Sequence, residues 1–362
     1  MSRSTLQRLV RNPLYWLLLV APLAWWLDFA SAAPTAILAA AALAMIPMAG
    51  LIGEGTEALA GYAGPRIGGL LNATLGNAAE LIITIVAIRA GLLELVKASI
   101  TGSILGNLLL VLGASMFAGC IRNGDMAFDR KKASSDSILL LLAVTALTVP
   151  SLFVQGSQGI HDPMAVEYLS LGVAALMLLI YLLGLVNVFR GQSDPLTRKS
   201  AEGLVHHPGW SLRGALAILA LATIGVVWLS EMLVAQVEPV VEAWGVSEFF
   251  LGVILVPLIG NVAEHMVAVT VALKNQMSLS MEIAVGSSLQ IALFVVPFLV
   301  FLSLLIGNPL TLVFNPFELI ALVGAGLIAA LVALDGEANW LEGAVLMTLY
   351  LILALAFFFL PS

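Results

Sequence analysis

Two glutamates lie inside long apolar stretches and end the same motif, Gly-Asn-x-x-Glu, at Glu80 and at Glu264. The two glutamates are 184 residues apart. A carboxylate inside a membrane-spanning helix is costly, so two in matching contexts indicate one shared site. Together with the amides of Asn77 and Asn261 they offer oxygen ligands. Such a set suits Ca²⁺, which takes about six to eight oxygens in loose geometry, better than Zn²⁺. The motif predicts a hard-cation site with Glu80 and Glu264 as metal ligands.

The same carboxylates can also carry protons. A carboxylate that is removed from water and placed near a second one holds a proton more readily than it does in solution. Each group then carries either a proton or its share of a divalent cation, never both. This exclusivity is the minimum requirement for exchanging one ion for the other.

The duplication extends beyond the motif without a gap. Moving forward by 184 residues pairs the Gly-Ser-x-Leu segment at 102–105 with the one at 286–289. In membrane proteins, a duplication with polar, Gly-interrupted helices at equivalent places marks the site of a transported ligand. Ser103 and Ser287, the serines of these segments, either line that site or allow close helix packing.

Composition places the chain in a membrane. Hydrophobic residues make up 61% of the sequence and charged residues only 10%, against about 25% charged residues in soluble domains. The single cysteine, Cys120, excludes an intrachain disulfide, and the net charge of −7 comes without a charged tail. Nothing therefore points to a nucleic-acid partner, and the lipid bilayer is the expected surrounding. No prosthetic group is expected.

The apolar runs predict an all-α polytopic membrane protein with about eleven transmembrane helices, one leading helix plus two inverted five-helix repeats. The spans are 13–30, 35–62, 67–96, 98–121, 134–154, 163–189, 211–236, 247–274, 278–306, 316–334 and 339–360. The cytoplasmic amino terminus and leading helix occupy 1–33, repeat 1 occupies 34–189, a cytoplasmic linker occupies 190–210 and repeat 2 occupies 211–362. Because each repeat has an odd number of spans, the second is inverted in the membrane.

The positive charges give an independent orientation. With these spans, thirteen of the fifteen Lys and Arg residues fall in alternate loops, and only Arg89 and Lys97 fall on the other side. The positive-inside rule then places the amino terminus in the cytoplasm and the carboxyl terminus outside. The basic start and short apolar stretch of the first span also resemble a cleavable signal peptide.

The helices that carry the motifs are expected to be interrupted. The span 67–96 is thirty residues long, about 45 Å as a straight helix against a core of about 30 Å. Weak points precede each glutamate, and these are Gly68, Gly69, Asn72 and Gly76 before Glu80, and Pro257 and Gly260 before Glu264. Carbonyls freed at such a break become further oxygen ligands.

The duplicated Gly-Asn-x-x-Glu motifs, with His265 after the second, resemble the cation/proton exchanger branch of the calcium:cation antiporter superfamily. The resemblance covers nearly the whole chain, including the eleven-span layout and both Gly-Ser-x-Leu segments. It implies that Glu80 and Glu264 bind Ca²⁺ and H⁺ alternately and that Asn107 and Gln290 are the polar groups facing them. Related sodium/calcium exchangers tend to place an acid near the Gln290 position, so its absence here favours protons as the counter-ion.

Other polar residues have two interpretations. His265 follows Glu264 by one residue, about 100° of helix, so both cannot point at one ion. It is assigned a supporting or proton-relay role. Glu57 and Glu231, at equivalent places in the first helix of each repeat, and the nearby Glu54 either line the ion pathway or lie at the membrane interface. The remaining acids near span ends are interpreted as solvated; these are Glu94, Glu282 and Glu318.

The function predicted is exchange of Ca²⁺, or another divalent cation, for H⁺ by alternating access. A sodium-coupled Ca²⁺ exchanger is the nearest alternative, and a cation channel is another. An intramembrane zinc enzyme is disfavoured because the chain lacks His-Glu-x-x-His and has only four histidines. The expected location is a bacterial-type plasma membrane, with a vacuolar membrane as the alternative. Homo-oligomers are compatible with the sequence.

Overall fold

The described part of the chain is almost entirely helical. The structure is a computed structural model that describes residues 13–156, 162–191 and 210–360. Most of the predicted cytoplasmic linker, the first twelve residues and the last two lie outside the described residues. In chain order the elements are a 3₁₀ turn (Pro13–Leu19), α1 (Val20–Phe29), α2 (Pro34–Leu75), α3 (Ala78–Ala90), α4 (Leu93–Leu105), a π-helical segment (Gly106–Val111), α5 (Leu112–Asn123), β1 (Met126–Ala127), α6 (Arg130–Gly156), α7 (Pro163–Gly191), α8 (Leu212–Ala235), α9 (Val237–Trp244), α10 (Glu248–Phe250), a π-helical segment (Leu251–Leu255), α11 (Val256–Leu273), α12 (Met277–Gln290), a π-helical segment (Ile291–Val295), α13 (Val296–Ile306), α14 (Pro316–Val332), β2 (Glu337–Ala338) and α15 (Trp340–Phe358).

The apolar helices confirm a membrane protein of the helical class. Among the described residues, eight helical stretches of 19 to 33 residues are long and apolar enough to cross a membrane, and two shorter apolar helices cover Leu14–Phe29 and Pro316–Val332. These ten stretches coincide closely with ten of the predicted spans. The remaining predicted span, 67–96, is divided among shorter pieces. The count of eleven therefore stays a prediction.

The chain is interrupted twice before Glu80, once at Gly64, ahead of the predicted span 67–96, and once inside that span. Helix α2 is interrupted at Gly64, which has φ 80° and ψ 169°. The following arm returns so closely that a Cβ at Gly68 would lie 2.7 Å from the carbonyl oxygen of Ala60. The arm stays helical to Leu75, and α3 begins at Ala78 after a turn at Gly76 and Asn77. The break inside the span therefore falls at Gly76, in the motif, and not at the other predicted weak points Gly68, Gly69 and Asn72.

The predicted break at Gly260 is wrong. Helix α11 runs without interruption from Val256 to Leu273, through Gly260 and Asn261. Pro257 lies in its first turn, where a helix does not need the N–H that proline lacks. The irregularity in this repeat comes earlier, as the π-helical segment Leu251–Leu255.

Two other π-helical segments preserve the duplication. The segment Gly106–Val111 follows α4, and Ile291–Val295 follows α12. Adding 184 to residues 107–111 gives 291–295, so the same irregularity recurs at the same place in both halves. Such π-helical turns occur often at functional sites, and Asn107 lies in the first of them.

The chain divides into two compact units, each of which draws on both halves of the sequence. Unit 1 comprises Met1–Val86, Tyr181–Ala243 and Ile259–Ala263, and unit 2 comprises the other residues. In unit 1, α2 packs against α8 and the leading segment. The buried cluster between them consists of Tyr15, Ala49, Leu51, Ile52, Ala79, Ala222 and Val226. This cluster includes Ala79, the residue directly before Glu80.

One end of unit 2 is built around the extended segment 308–315, which joins α13 to α14. The backbone N–H groups of residues 310, 312 and 314 donate to the hydroxyls of Ser303, Ser170 and Ser151, at 2.8, 3.0 and 2.9 Å. Lys97 donates through Nζ to the carbonyl oxygen of residue 313 at 3.0 Å. Hydroxyls from three helices thus satisfy the backbone of a buried non-helical segment, as membrane proteins require.

Glu318 corrects the sequence interpretation at this same end. It is only 1% exposed, so its assignment as a solvated terminus is wrong. Its Oε2 accepts from the backbone N–H of Asn315 at 2.7 Å, forming a capping box at the start of α14, and its Oε1 accepts from the Thr101 hydroxyl at 3.0 Å. Glu94 and Glu282 are exposed as predicted, and they pair with Lys97 and Lys132.

The opposite end of unit 2 gathers the other helix termini. Asn123, the last residue of α5, donates through Nδ2 to the carbonyl oxygen of Ala272 near the end of α11, at 3.3 Å. Lys132 at the start of α6 pairs with Glu282 in α12. The two short strands β1 and β2 pair antiparallel, with Met126 opposite Ala338. Four helix ends and the turn before α15 therefore meet at this end.

Candidate functional site

Glu80 is a buried residue of unit 1, with 6% of its surface exposed. It lies in the first turn of α3, which begins just after the break. Gly260, from the second motif, lies directly against it: a Cβ on Gly260 would be 3.3 Å from Glu80 Oε1 and 3.5 Å from its Cδ. Within this unit the carboxylate of the first motif therefore packs on the glycine of the second.

The two motif asparagines have the same burial but different backbone settings. Asn77 and Asn261 are each 1% exposed. Asn77 lies in the turn before α3, and its carbonyl oxygen accepts from the N–H of Leu81 at 3.0 Å. Asn261 lies inside the continuous helix α11. Both fit a role as ligand or as interhelical hydrogen-bonding group, and the ligand role stays a prediction.

Glu264, in unit 2, is half-buried and belongs to a chain of four hydrogen-bonded side chains. Ser287 donates its hydroxyl to Glu264 Oε2 at 3.0 Å. Asn107 donates through Nδ2 to the Ser287 hydroxyl at 3.1 Å. His265 lies 3.1 Å from Asn107 Oδ1 through Nε2. Because the amide oxygen Oδ1 of Asn107 can only accept, Nε2 of His265 is the donor. Each of the three hydrogen bonds is therefore donated in the direction of the Glu264 carboxylate.

The hydrogen-bonded chain at Glu264 contains several residues that the sequence analysis singled out. It joins Ser287, the serine of the second Gly-Ser-x-Leu segment, directly to the motif glutamate, and it joins the π-helical Asn107 to that glutamate through Ser287. His265 contacts Asn107 and not the carboxylate beside it in sequence, which agrees with the helical geometry expected of adjacent residues. Ser103 is buried in α4, and Gln290 is half-buried as the last residue of α12.

The three pathway acids differ in exposure. Glu57 and Glu231 are exposed, in α2 and α8. Glu54 is half-buried and accepts two hydrogen bonds, from the Tyr15 hydroxyl to Oε1 and from Trp210 Nε1 to Oε2 at 3.2 Å. Sequence reasoning did not identify these two aromatic partners, because 39 and 156 residues separate them from Glu54.

The site chemistry rests on few charged ligands. Among the described residues, no group of three or more His, Cys, Asp or Glu side chains is placed to hold a metal ion. Each motif glutamate is accompanied by amide or hydroxyl groups, and oxygen ligands of this kind suit Ca²⁺, whereas protein sites for Zn²⁺ mostly use nitrogen and sulfur.

Comparison with known proteins gives consistent matches. The family model described as sodium/calcium exchanger protein matches residues 33–190 and 214–359. The Ca²⁺/H⁺ antiporter of Aphanothece halophytica is 43% identical over 334 residues, which cover 89% of each chain. The vacuolar calcium ion transporter of Schizosaccharomyces pombe is 36% identical over 88% of this chain and 78% of that protein.

A solved structure agrees with these sequence matches. The crystal structure of the selenium-substituted Ca²⁺/H⁺ antiporter protein YfkE has a TM-score of 0.82 to this chain at 39% identity, covering 95% of this chain and 98% of the other. The duplicated carboxylate motif, the apolar helices and the match of the family model to most of the sequence lead to one conclusion. This chain belongs to the sodium/calcium exchanger protein family.

Proposed function

We propose that this chain exchanges Ca²⁺ for H⁺ across a membrane as a secondary active transporter, with Glu80 and Glu264 carrying either ion in turn. The exchange itself is supported by the relatives, since the protein that is 43% identical over 89% of the chain is a Ca²⁺/H⁺ antiporter. This favours protons over sodium as the counter-ion. The relatives are transporters, and we propose transport and not enzymatic catalysis as the activity of this chain.

The observation that carries the proposed mechanism is the donor chain that ends at Glu264. Hydrogen bonds donated to a carboxylate favour its ionised form, and Ser287 is the donor here. An ionised, half-buried carboxylate is the form that binds Ca²⁺. When a proton binds instead, the negative charge that attracts the metal is lost, so occupancy by one ion opposes occupancy by the other.

Glu80 has a different source of stabilisation for its charge. It lies in the first turn of α3, where the unpaired N–H groups of a helix favour a negative side chain. The turn at Gly76 and Asn77 creates this helix start, so the break places Glu80 at a helix amino end. We assign Glu80 and Glu264 as metal ligands, Asn77 and Asn261 as amide ligands, and Ser103, Ser287, Asn107, Gln290 and His265 as site-lining residues.

We further propose the eleven-span topology with two inverted five-helix repeats. The contacts inside unit 2 support the alternation of spans. One end gathers Lys97, Ser151, Ser170 and segment 308–315, which lie in predicted outer loops or toward the outer ends of predicted spans. The opposite end gathers Asn123, Lys132, Ala272 and Glu282, which lie in predicted cytoplasmic loops or toward the inner ends of predicted spans. A span added or missing between residues 97 and 315 would have mixed the two sets.

The expected cellular role is export of Ca²⁺ from the cytoplasm, driven by protons. We propose a bacterial-type plasma membrane as its location. A vacuolar membrane is the alternative, because a vacuolar transporter is 36% identical to the chain. Assembly into homo-oligomers stays a prediction from the sequence.

The test uses purified protein in sealed liposomes with a pH-sensitive dye inside. External Ca²⁺ should move protons with voltage clamped by potassium and valinomycin and with sodium absent. An imposed proton gradient should also accumulate Ca²⁺ against its own gradient, which a channel cannot do. Flux that ignores the proton gradient would establish a channel, and flux that requires sodium would establish the sodium-coupled exchanger.

Glu80→Gln and Glu264→Gln test the assigned ligands in the same liposomes. Each change removes a metal ligand and a proton carrier while keeping the shape of the side chain, so exchange should be lost in both. Normal Ca²⁺-driven proton flux through either purified variant would refute the two-glutamate mechanism.

A further inference from the structure

The bare α-carbon of Gly260 lies against the carboxylate of Glu80. A Cβ placed on Gly260 would lie 3.3 Å from Oε1, 3.5 Å from Cδ and 3.5 Å from Cγ of that side chain. Other closely packed glycines in the chain meet different groups: Gly252, for example, faces Ala98 and the backbone of Leu95. The close approach at Gly260 is therefore to a group that the proposed mechanism uses.

Glycine at this position is not explained by backbone geometry. Gly260 lies inside the continuous helix α11, and its φ is not among the positive values of the chain. In such a helix alanine is more stable than glycine by about 1 kcal/mol. A glycine is therefore unfavourable here unless the space beside it is needed.

The surroundings of Glu80 leave its side chain, and not its backbone, as the part that can move. Ala79, the preceding residue, is 4% exposed in the cluster that packs α2, α8 and the leading segment. A shift of the α3 backbone would disturb this cluster. A methyl group on Gly260 would therefore displace the Glu80 carboxylate by a few tenths of an ångström.

We propose that Gly260 is a positioning residue that sets where the Glu80 carboxylate lies during Ca²⁺ binding. This inference rests on the proposed function and deepens it. The second motif then serves the first glutamate as well as its own, since its glycine supplies the surface on which Glu80 rests. Oxygen ligands of Ca²⁺ lie at about 2.3–2.6 Å from the ion, so a displacement of a few tenths of an ångström is as large as the usual spread of these distances.

The experiment measures Ca²⁺-driven proton flux in liposomes over a range of Ca²⁺ concentrations. Gly260→Ala should raise the apparent KM for Ca²⁺ by about tenfold, the effect of a change near 1.4 kcal/mol, and keep most of the maximal rate. Gly260→Val, with a larger side chain, should raise it further. Gly172→Ala is the matched control, because Gly172 lies in helix α7 with nothing within 4 Å of its Cβ position. That variant should keep the wild-type KM.

A compensating change distinguishes positioning from general damage. Glu80→Asp shortens the side chain by one methylene and makes room for the added methyl group. A double-mutant cycle compares the double variant Gly260→Ala/Glu80→Asp with the two single variants. The KM of the double variant should be lower than the value obtained by adding the free-energy effects of the two single changes. Additive effects of the two changes would overturn the inference.

The outcomes separate this inference from the function on which it rests. Absence of Ca²⁺/H⁺ exchange by the wild-type protein would remove the proposed function. Wild-type exchange with an unchanged KM in Gly260→Ala, or with the same loss in Gly172→Ala, would remove only the role of Gly260. If Gly260→Ala does not fold, the double variant Gly260→Ala/Glu80→Asp carries the test, because the shorter side chain makes room for the methyl group. Its KM should match that of Glu80→Asp alone, and a higher KM would overturn the inference.

Discussion

Ser287→Ala tests the donor chain at Glu264 most directly. Ser287 is buried in α12, donates its hydroxyl to Glu264 Oε2 at 3.0 Å and accepts from Asn107 Nδ2 at 3.1 Å. Alanine removes one oxygen and fills almost the same volume. The neighbouring Ser288 provides a matched control, since it is also buried but donates to the carbonyl oxygen of Ala284 in its own helix, at 3.1 Å.

The size of the expected effect follows from the type of hydrogen bond. A hydrogen bond to a charged group contributes about 1.5–3 kcal/mol, which corresponds to about 10- to 150-fold in an equilibrium constant. The hydroxyl favours the ionised carboxylate, so its loss lets a proton compete better with Ca²⁺ at Glu264. The apparent KM for Ca²⁺ should rise by about tenfold or more. The difference from wild type should shrink as the pH rises, because fewer protons then compete.

The assay is Ca²⁺-driven proton flux in liposomes at several pH values, with Ser288→Ala measured in parallel. Ser288→Ala should resemble the wild type in KM at every pH. The interpretation is wrong if Ser287→Ala keeps the wild-type KM, or if both serine variants lose the same amount. A rise in KM that does not depend on pH would also contradict it, since the hydroxyl would then act on the metal alone and not on the competition with protons.

Three further predictions concern linkage, stability and topology. In detergent, lowering the pH should raise the apparent dissociation constant for Ca²⁺, and saturating Ca²⁺ should release protons; calorimetry showing a pH-independent affinity would contradict shared sites. Thr101→Val removes the hydroxyl that donates to the buried carboxylate of Glu318 and should lower the unfolding free energy by about 1–3 kcal/mol. Thr145→Val is the control and should leave it unchanged, because the exposed Thr145 hydroxyl donates to a carbonyl oxygen in its own helix. Cysteines at Asp125 and Asp162, both exposed, should be labelled by an impermeant reagent from opposite sides of the membrane, and labelling from one side would refute the predicted alternation.

The sequence was informative wherever a local pattern decides the structure. Apolar run length places the helices within a few residues, because burial in lipid depends on composition along the chain. The break near Glu80 was predictable from length and from Gly76. The same argument failed at Gly260, since a glycine permits a break but does not impose one. The contact between Gly260 and Glu80 offers a different reason for a glycine at this position.

Contacts between distant residues were not predictable from the sequence. Glu318 carries a local signal, because Asn315 and Glu318 have the spacing of a capping box. In its buried position it accepts a hydrogen bond from Thr101, 217 residues earlier, and no pattern along the chain reports that contact. The same holds for the donor chain at Glu264, whose members come from three separate stretches of sequence. The duplication singled out Ser287, the second motif singled out His265 and the family resemblance singled out Asn107, but only the folded arrangement gives the direction of their hydrogen bonds.

The duplicated motifs hold chemically equal carboxylates in unequal ways. Glu80 begins a helix and rests on a glycine, whereas Glu264 lies inside a helix and accepts a serine hydroxyl. A helix amino end cannot be removed by changing one side chain, but a hydroxyl can. Single substitutions around Glu264 should therefore alter proton competition more readily than those around Glu80, where steric changes at Gly260 should act mainly on Ca²⁺ affinity. The symmetry of the sequence thus does not extend to the surroundings of the two proposed ligands, and we expect each glutamate to respond to different substitutions.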